Sequence, residues 1–545
     1  MHVNSLPPLV LRQILTHTAT PLHRWWKDWK HILPLAQVCA QWRDIGMPLV
    51  YSHLFVYCIE TETDDDSDDE GDDVAIREIR SYGAVPKMEW MTNGPLILAN
   101  RTMELVRDVR INLRGPGYMF PFLSNIVGLL DQMNHTWPLV HTLSIHLASD
   151  YMEPESYQNT MDGMMETAAL FADTLARVFP GITKLRVGGC DGSEAFCRFA
   201  DRLSYHYSMQ LNSLFSRYPM SCMSPCFSSE LTYLHLVVRP YIGQLVPHVA
   251  PRALKYLCLD GISVFFRWQC FYENEGSVRD VCFEQLEHLS VHYNGIHNME
   301  VDAVVTSNYS GRRNEASGLP YWLEFPMLKS LTITRCPETG GLLSCCSLPR
   351  DTLMSVTLEG AVGAVCALAQ FVGDVTHAGE LSVSVHGSPE EGGSGYSEQK
   401  GDSMVSALNL LYSEDWHLDN GVLCLFDDIV LRNNHIAGIQ STNLKELTLD
   451  SPLSLSMFVK IIETQPQLIS ISCYNLQINK AEQVDNFILE MIIDKLDDSV
   501  DQVEQWVNNV QPLVSQLERI TVCNHIDLFS QKAALSLACW LMTLQ

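Results

Sequence analysis

Positive charge is scarce in this chain of 545 residues, where 36 lysines and arginines stand against 64 aspartates and glutamates. The resulting formal net charge of −28 makes phosphate backbones and anionic lipid surfaces poor partners for the surface as a whole. Along the sequence we find no cluster of lysines and arginines that would offset this charge locally. We therefore expect no nucleic-acid partner and no membrane partner.

Long apolar runs are also missing. No stretch of about eighteen consecutive apolar residues occurs, so we expect no membrane-spanning helix. The beginning of the chain lacks the pattern of a signal peptide, since Arg12 interrupts its apolar stretch and no small-residue cleavage site follows. The 17 cysteines are scattered, and those inside apolar patterns, such as Cys39, Cys258, Cys424 and Cys473, are typical of buried free thiols. Together these features predict a protein of the cytoplasm, the nucleus or both.

Fingerprints of catalytic and metal sites are missing as well. The glycines of VGGCDG (187–192) come without a Walker lysine or a dinucleotide-binding pattern, which favours a turn at the end of a strand. No Gly-x-Ser-x-Gly motif of a hydrolase occurs. Two cysteine pairs lack the second ligand pair of a zinc site: Cys222 with Cys226, and Cys345 with Cys346. His288 and His292 flank a repeat strand and not a helix, which favours surface histidines over a zinc-binding pair. We predict that the chain is not an enzyme and uses no cofactor and no metal.

A recurring apolar pattern is what the sequence does contain. Apolar residues stand at positions i, i+3 and i+5, and the last two suit a short strand with one buried face. Helix-like stretches such as 164–179 and 455–465 lie between the copies. The eleven copies are Val106-Val109-Ile111, Val140-Leu143-Ile145, Ile182-Leu185-Val187, Leu231-Leu234-Leu236, Leu254-Leu257-Leu259, Leu286-Leu289-Val291, Leu328-Leu331-Ile333, Leu353-Val356-Leu358, Leu444-Leu447-Leu449, Leu468-Ile471-Cys473 and Leu517-Ile520-Val522.

A strand and a helix in every repeat of about 23 to 30 residues are typical of leucine-rich repeats, which the Leu-x-x-Leu-x-Leu copies resemble. Such units share one continuous core because none can bury its strand face alone. The resemblance implies an α/β fold, an irregular leucine-rich-repeat solenoid or horseshoe over residues 100–545. A polar insertion is expected near 386–402. Steps of 42 to 49 residues between some copies suggest that weaker copies lie between them.

Two short helices are predicted before these repeats. Ser5 suits an N-cap and Pro7 and Pro8 a first turn, while a second helix is entered through Pro34. Leu-Pro, a helix, and then Val-Cys-x-x-Trp-Arg (38–43) resemble an F-box over about residues 5–54. Leu9 departs from the family, which commonly has an acidic residue there, and the connection 17–31 is longer than usual. The resemblance implies docking on a Skp-type adaptor through Leu6, Pro7, Leu11, Ile14, Leu15, Val38 and Trp42.

An acidic run follows, in which ten of the fourteen residues from Glu60 to Asp73 are aspartate or glutamate. Mutual repulsion and the lack of apolar residues predict a disordered linker over 58–80. The alternative is that Ser67, followed by three acidic residues, is the site of an acid-directed kinase. The predicted domains are therefore an F-box-like domain (1–57), the acidic linker (58–80) and the repeats (100–545).

F-box and leucine-rich repeats together imply a substrate-recognition subunit of a Skp–cullin–F-box ubiquitin ligase. The helices would dock on the adaptor of the cullin complex, and the repeats would bind a protein substrate that the sequence does not identify. The alternative is a scaffold unrelated to ubiquitin, in which the N-terminal helices only cap the solenoid. An enzyme framed by the solenoid is a third possibility, and no residue supports it. The predicted adaptor-binding face separates the first two, since a cap would bury it against the repeats.

Overall fold

The fold is described from a computed structural model of the chain, which divides into two compact units, Met1–Ala250 and Pro251–Gln545. The described residues are 7–19, 39–60, 88–99, 101–115, 127–128, 130, 136–149, 161–189, 194–218, 227–238, 249–262, 271, 280–294, 322–338, 340–349, 351–371, 379–386, 398–413, 416, 418–426, 438–439, 442–465, 467–477 and 519–527. None of the helices within these ranges is long and apolar enough to cross a membrane.

The first unit combines α-helices with a sheet whose strands are mostly parallel. Its helices are α1 (Pro8–Ala19), α2 (Ala40–Tyr51), α3 (Gly94–Ala99), α4 (Met161–Val178) and α5 (Glu194–Tyr207), with a 3-10 turn at Met103–Leu105. Its strands are β1 (His53–Glu60), β2 (Met88–Thr92), β3 (Asp108–Gly115), β4 (Thr142–Ser149), β5 (Lys184–Gly189), β6 (Ser213–Ser216) and β7 (Tyr233–Val237). The strand order is β2-β1-β3-β4-β5-β6-β7, and of these pairs only β1 with β2 is antiparallel.

The second unit repeats this arrangement and adds a small second sheet. Its helices are α6 (Val362–Ala369), α7 (Glu398–Leu411) and α8 (Leu455–Thr464), with 3-10 turns at Pro251–Ala253 and Gly341–Cys345. Its strands are β8 (Tyr256–Ile262), β9 (Asp280–Cys282), β10 (His288–Tyr293), β11 (Trp322–Glu324), β12 (Ser330–Cys336), β13 (Cys346–Ser347), β14 (Ser355–Gly360), β15 (Glu380–Val385), β16 (Asn420–Leu425), β17 (Leu444–Ser454), β18 (Ser470–Gln477) and β19 (Arg519–Asp527). The large sheet runs β8-β10-β12-β14-β15-β16-β17-β18-β19 and the small one β9-β11-β13, with parallel pairs in both.

One hydrogen-bond pattern recurs where successive strands begin. The carbonyl oxygen of Ser52 accepts hydrogen bonds from the backbone N–H groups of Arg107 and Asp108, at 2.9 and 3.2 Å. The carbonyl oxygen of Arg107 likewise accepts two from His141 and Thr142, at 2.8 and 3.2 Å. Each accepting residue directly follows the first apolar position of its repeat, and further examples are His141, Thr183, Asn212, Lys255, Glu287 and Lys329. Each strand therefore aligns the start of the next, which keeps the apolar rows in register.

The apolar pattern predicted from the sequence forms the core. In the ten copies from Val106 to Cys473 every apolar residue of the pattern is buried, and the last two of each copy lie in a strand. In the eleventh copy, Ile520 and Val522 lie in β19, and Leu517 lies outside the described residues. The prediction of an α/β fold built from parallel strands is confirmed.

Among the described parallel strands of the large sheets, four escaped the sequence pattern. They are β1, β6, β15 and β16, and the copies at β6 and β16 carry Ser216 and Gly421 at a core position. The 49-residue step before β7 therefore does contain a weak copy, as predicted. The 42-residue steps do not, because β4 pairs directly with β5 and β10 pairs directly with β12. There the prediction of a hidden copy is wrong, since the extra residues connect neighbouring strands.

The predicted domain boundaries do not coincide with the boundaries of the sheet and of the two units. The boundary at residue 57 falls inside β1, whose residues His53–Cys58 pair with β3 and so belong to the sheet. The sheet therefore begins well before residue 100, and the repeats are shared between two units that divide between β7 and β8. Most of the predicted linker (61–80) and of the polar insertion (387–397) lies outside the described residues, while residues 398–402 begin α7.

Candidate functional site

The N-terminal helix pair is built around a small apolar core of its own. Leu11 and Leu15, one helical turn apart on α1, pack with Trp42 of α2 and are 1%, 0% and 7% exposed. Three partly buried residues of the second helix region, Cys39, Ile45 and Leu49, pack against this cluster. Leu11, Leu15 and Trp42 are among the residues predicted to bind the adaptor directly. In the structure their side chains hold α1 and α2 together and are almost fully buried, so they are not at the surface.

The opposite side of α1 is apolar and exposed. Leu9 is 71% exposed, Val10 38% and Ile14 40%, and Pro7 just before the helix is exposed as well. Of the predicted adaptor-binding residues, Ile14 and Pro7 are therefore at the surface. Leu6 and Val38 lie outside the described residues. Leu9, Val10 and Ile14, called the outer face of α1 from here on, are the part of the predicted site that a partner can contact.

The first residue of α1 sets which apolar side chains share a side of the helix. Pro8 is the first residue of the helix, where a missing N–H is tolerated, and the Leu11 N–H donates to the Pro7 carbonyl oxygen at 3.0 Å. Leu9, Val10 and Ile14 then fall within about 140° of the helix circumference, while Leu11 and Leu15 fall on the remaining side. Leu9, where the F-box pattern has an acidic residue, widens the apolar outer face.

The helix pair joins the sheet directly. α2 ends at the buried Tyr51 and β1 begins at His53, with Ser52 between them donating from Oγ to the Leu49 carbonyl oxygen at 2.8 Å. β1 is held in turn by the buried side chain of Asn93. Its Nδ2 donates to the His53 carbonyl oxygen at 2.8 Å, and its Oδ1 accepts from the Phe55 N–H at 3.1 Å. The acidic run thus follows the first sheet strand and does not separate the helices from the sheet.

The exposed strand faces form a second surface, and on the second unit it carries hydroxyl groups and imidazoles. The Ser290 hydroxyl lies 2.8 Å from His292 Nε2, and His292 Nδ1 lies 2.7 Å from the Thr334 hydroxyl. His288, at the start of the same strand, is exposed. Both histidines lie within β10, a strand and not a helix. The link from His292 to Thr334 crosses 42 residues of sequence, so no local motif could have indicated it.

The described thiols are free, and many are buried. Cys258 and Cys473 are buried, and Cys39 and Cys424 are partly buried. Burial raises the pKa of Cys336 to about 12 and that of Cys345 to about 11, which keeps both thiols protonated at neutral pH. Among the residues that the structure describes, no group of three or more His, Cys, Asp and Glu side chains is placed to hold a metal ion. Cys222 and Cys226 lie outside this part of the chain.

Comparison with known proteins adds no relative to this geometry, since no protein-family model and no curated protein matches the sequence. Two surfaces of the described residues bear on the function: the outer face of α1 and the exposed faces of the strands.

Proposed function

We propose that the chain is the substrate-recognition subunit of a Skp–cullin–F-box ubiquitin ligase of the cytoplasm or the nucleus. In this proposal the outer face of α1 docks on a Skp-type adaptor, and the exposed strand faces bind a protein substrate. The chain itself performs no chemistry. The observation that carries the proposal is the exposure of Leu9, Val10 and Ile14 on a helix whose opposite side is already packed against α2.

The exposed apolar face has a physical consequence. Fully burying a Leu, Ile or Val side chain is favourable by about 1.5–3 kcal/mol, so three neighbouring exposed ones favour contact with a partner. A helix that only capped the repeats would need a polar outer face, because capping units keep the end of a solenoid soluble. The outer face of α1 is apolar instead.

The strand faces suit protein binding. Parallel strands that follow each other in chain order present side chains from many repeats on one surface, in a fixed register. On β14 and β15 Glu380 is exposed, and the other outward positions are half-buried: Ser355, Thr357, Glu359, Ser382 and Ser384. Rows of hydroxyl and carboxylate groups can make hydrogen bonds to a partner without a deep pocket. This arrangement supports a role in selecting a substrate protein.

A scaffold unrelated to ubiquitin is the second candidate, and one observation favours it. Because α2 runs into β1 with only Ser52 between them, the helix pair is joined to the sheet as closely as a cap would be. The acidic run follows β1, so it does not separate the helix pair from the repeats and is compatible with a cap. The two candidates differ in the outer face of α1, which docks on an adaptor in the first and contacts none in the second.

The test is capture of a purified Skp-type adaptor by the full-length chain and by the double variant Leu9→Asp/Ile14→Asp. Two carboxylates buried in an apolar interface should weaken capture by about tenfold or more. Arg12→Asp is the matched control, since it changes the net charge by the same two units on an exposed position of α1. Leu15 is left unchanged because it is buried, so its replacement would unfold the helix pair.

The proposal predicts capture by the natural chain and by Arg12→Asp, and loss of capture by the double variant at an unchanged melting temperature. Equal capture by all three chains would show that the outer face of α1 is not the docking site. No capture by the natural chain would favour the scaffold.

A further inference from the structure

We propose that the exposed sheet face of the first unit is a cationic docking site for an acidic peptide segment of a partner protein. The face is centred on Arg186, Arg217 and His146 and is called the cationic face below. As a substrate site it rests on the proposed function, but its test uses no adaptor, so the two can fail separately.

The register of the sheet brings these side chains together. Arg186 of β5 lies beside Ser144 of β4 on one side and Phe215 of β6 on the other. His146 lies beside Gly188 in the next row. Arg217 directly follows β6, and its N–H donates to the Val187 carbonyl oxygen at 2.9 Å, which continues the ladder past the strand. His146, Arg186 and Arg217 are exposed.

Gly188, which is itself buried, lies in the middle of this group. A methyl group added at Gly188 would lie 3.8 Å from His146 Nδ1, 3.8 Å from Phe215 Cε1 and 4.0 Å from Arg217 Cδ. The three side chains therefore surround the glycine without filling its side-chain position. The guanidinium of Arg186 stacks over the Phe215 ring, 4.8 Å from its centroid, which restrains its orientation. A carboxylate or a phosphate group on this part of the sheet would meet the exposed guanidinium groups of Arg186 and Arg217.

Positive charge dominates the face beyond this centre. Two further cations lie nearby: Lys184 stands two residues before Arg186 on β5, and Arg110 of β3 lies in the row of Arg186, on the far side of Ser144. On the described strands β3 to β7, Asp108 is the one carboxylate at an outward position, and its Oδ2 is already paired with His53 Nδ1 at 3.1 Å. Burial, and then the charge of Arg217, lower the pKa of His146, so the positive charge of the face comes from its arginines and from Lys184. Among the described residues no carboxylate forms an ion pair with Lys184, Arg186 or Arg217.

Outside the acidic run, the first unit is also much less negatively charged than the second. Outside the run 60–73, residues 1–250 contain 19 lysines and arginines and 17 aspartates and glutamates, whereas residues 251–545 contain 17 and 37. The cationic face therefore lies in the one unit that is not strongly acidic. It spans about three strands, or roughly 10 Å across, which fits a few carboxylate or phosphate groups of a peptide. A nucleic acid needs a longer run of phosphate contacts and would be repelled by the net charge of −28.

The test measures binding of fluorescein-labelled octaglutamate to the full-length chain by fluorescence anisotropy. Octaglutamine and an oligothymidine of matched length serve as comparison probes. The variant is Arg186→Glu/Arg217→Glu. The matched control is Arg198→Glu/Lys460→Glu, which makes the same change of charge at exposed positions of α5 and α8.

We expect octaglutamate to bind, octaglutamine not to bind, and added salt to weaken the complex. The variant should lower the affinity about tenfold or more, and the control should retain it. Absence of octaglutamate binding, or equal binding by variant and control, would overturn the proposal. Tighter binding of oligothymidine would overturn it in favour of a nucleic-acid site. Octaglutamate binding that arises only when 61–73 is replaced by glycine and serine would mean that the chain's own acidic run occupies the face. Adaptor capture by Arg186→Glu/Arg217→Glu should stay unchanged.

Discussion

At the scale of single residues, one ion-pair cluster joins the two long helices of the first unit. Asp173 of α4 accepts hydrogen bonds from Arg202 of α5 to both carboxylate oxygens, at 2.6 and 2.7 Å, and contacts His206 at 2.7 Å. Arg202 and His206 are four residues apart, so they share one face of α5. The hydrogen bonds from Arg202, and then those from His206, lower the pKa of Asp173 despite some desolvation.

We predict that Asp173→Asn lowers the free energy of unfolding by about 0.5–1 kcal/mol, a small effect because the partners are exposed and screened by solvent. The folded-state pKa of Asp173 is lowered, so its contribution is present above the unfolded pKa of about 3.9 and is lost as the pH falls through the folded value. Urea unfolding at pH 7 and at decreasing pH measures both effects. Glu230→Gln, at an exposed carboxylate of the same unit, should change little; an equal loss in both variants would contradict the assignment.

At the scale of secondary-structure elements, two adjacent glycines at the end of β5 have different roles. A glycine is required at 189 because neighbouring atoms lie too close for a side chain. An added methyl group would lie 1.7 Å from the Leu147 carbonyl oxygen and 2.2 Å from the Tyr218 hydroxyl. The buried Tyr218 hydroxyl donates to that same carbonyl oxygen at 3.1 Å. Gly188 has ordinary contact distances around it. VGGCDG thus ends a strand, as the sequence predicted, and its described glycines lie in packed backbone.

The pair supports a matched prediction. Gly189→Ala should lower the free energy of unfolding by about 1–3 kcal/mol, because the new methyl group must displace backbone of β4. Gly188→Ala, one residue away, should change it by less than about 1 kcal/mol. Thermal unfolding of both variants measures the difference. Equal melting temperatures would show that the chain relaxes around Gly189 at no cost, contrary to the packing described.

The sequence predicts those elements whose residues form a local pattern, and it misses features that depend on packing or on strand register. The i, i+3, i+5 pattern locates β3, β4 and β5 because each copy needs its own buried face. It misses β6 because Ser216 takes an apolar position and bonds to the Tyr218 carbonyl oxygen instead. For α1, helical spacing groups Leu11, Ile14 and Leu15 on one face, whereas the structure buries Leu11 and Leu15 and leaves Ile14 exposed. The cationic face cannot be predicted from the sequence, because its residues come together only through the register of the strands.

At the scale of the whole molecule, the acidic run is an insertion between β1 and β2, two strands of the same sheet. Its charge density leaves little to bury, and ordering it would cost about 1–2 kcal/mol of backbone entropy per residue. The two ends of the insertion are already held by the pairing of β1 with β2. The run should therefore contribute little to the stability of the unit that contains it.

We predict that replacing residues 61–73 by a glycine and serine linker of equal length leaves the melting temperature of the full-length chain nearly unchanged. Differential scanning calorimetry of both chains tests this. A large fall on replacement would mean that the run packs against cations of the first unit, with the cationic face as the nearest candidate. The prediction of a solvated run would then be wrong.

The central claim, that the outer face of α1 docks on a Skp-type adaptor, is tested most directly by hydrogen exchange of the full-length chain with and without the purified adaptor. Docking should slow exchange in residues 7–19, where Leu9, Val10 and Ile14 lie, and leave β14 and β15 unchanged, because those strands take no part in it. Unchanged exchange over 7–19 at saturating adaptor, or slowing confined to the strands, would contradict the account.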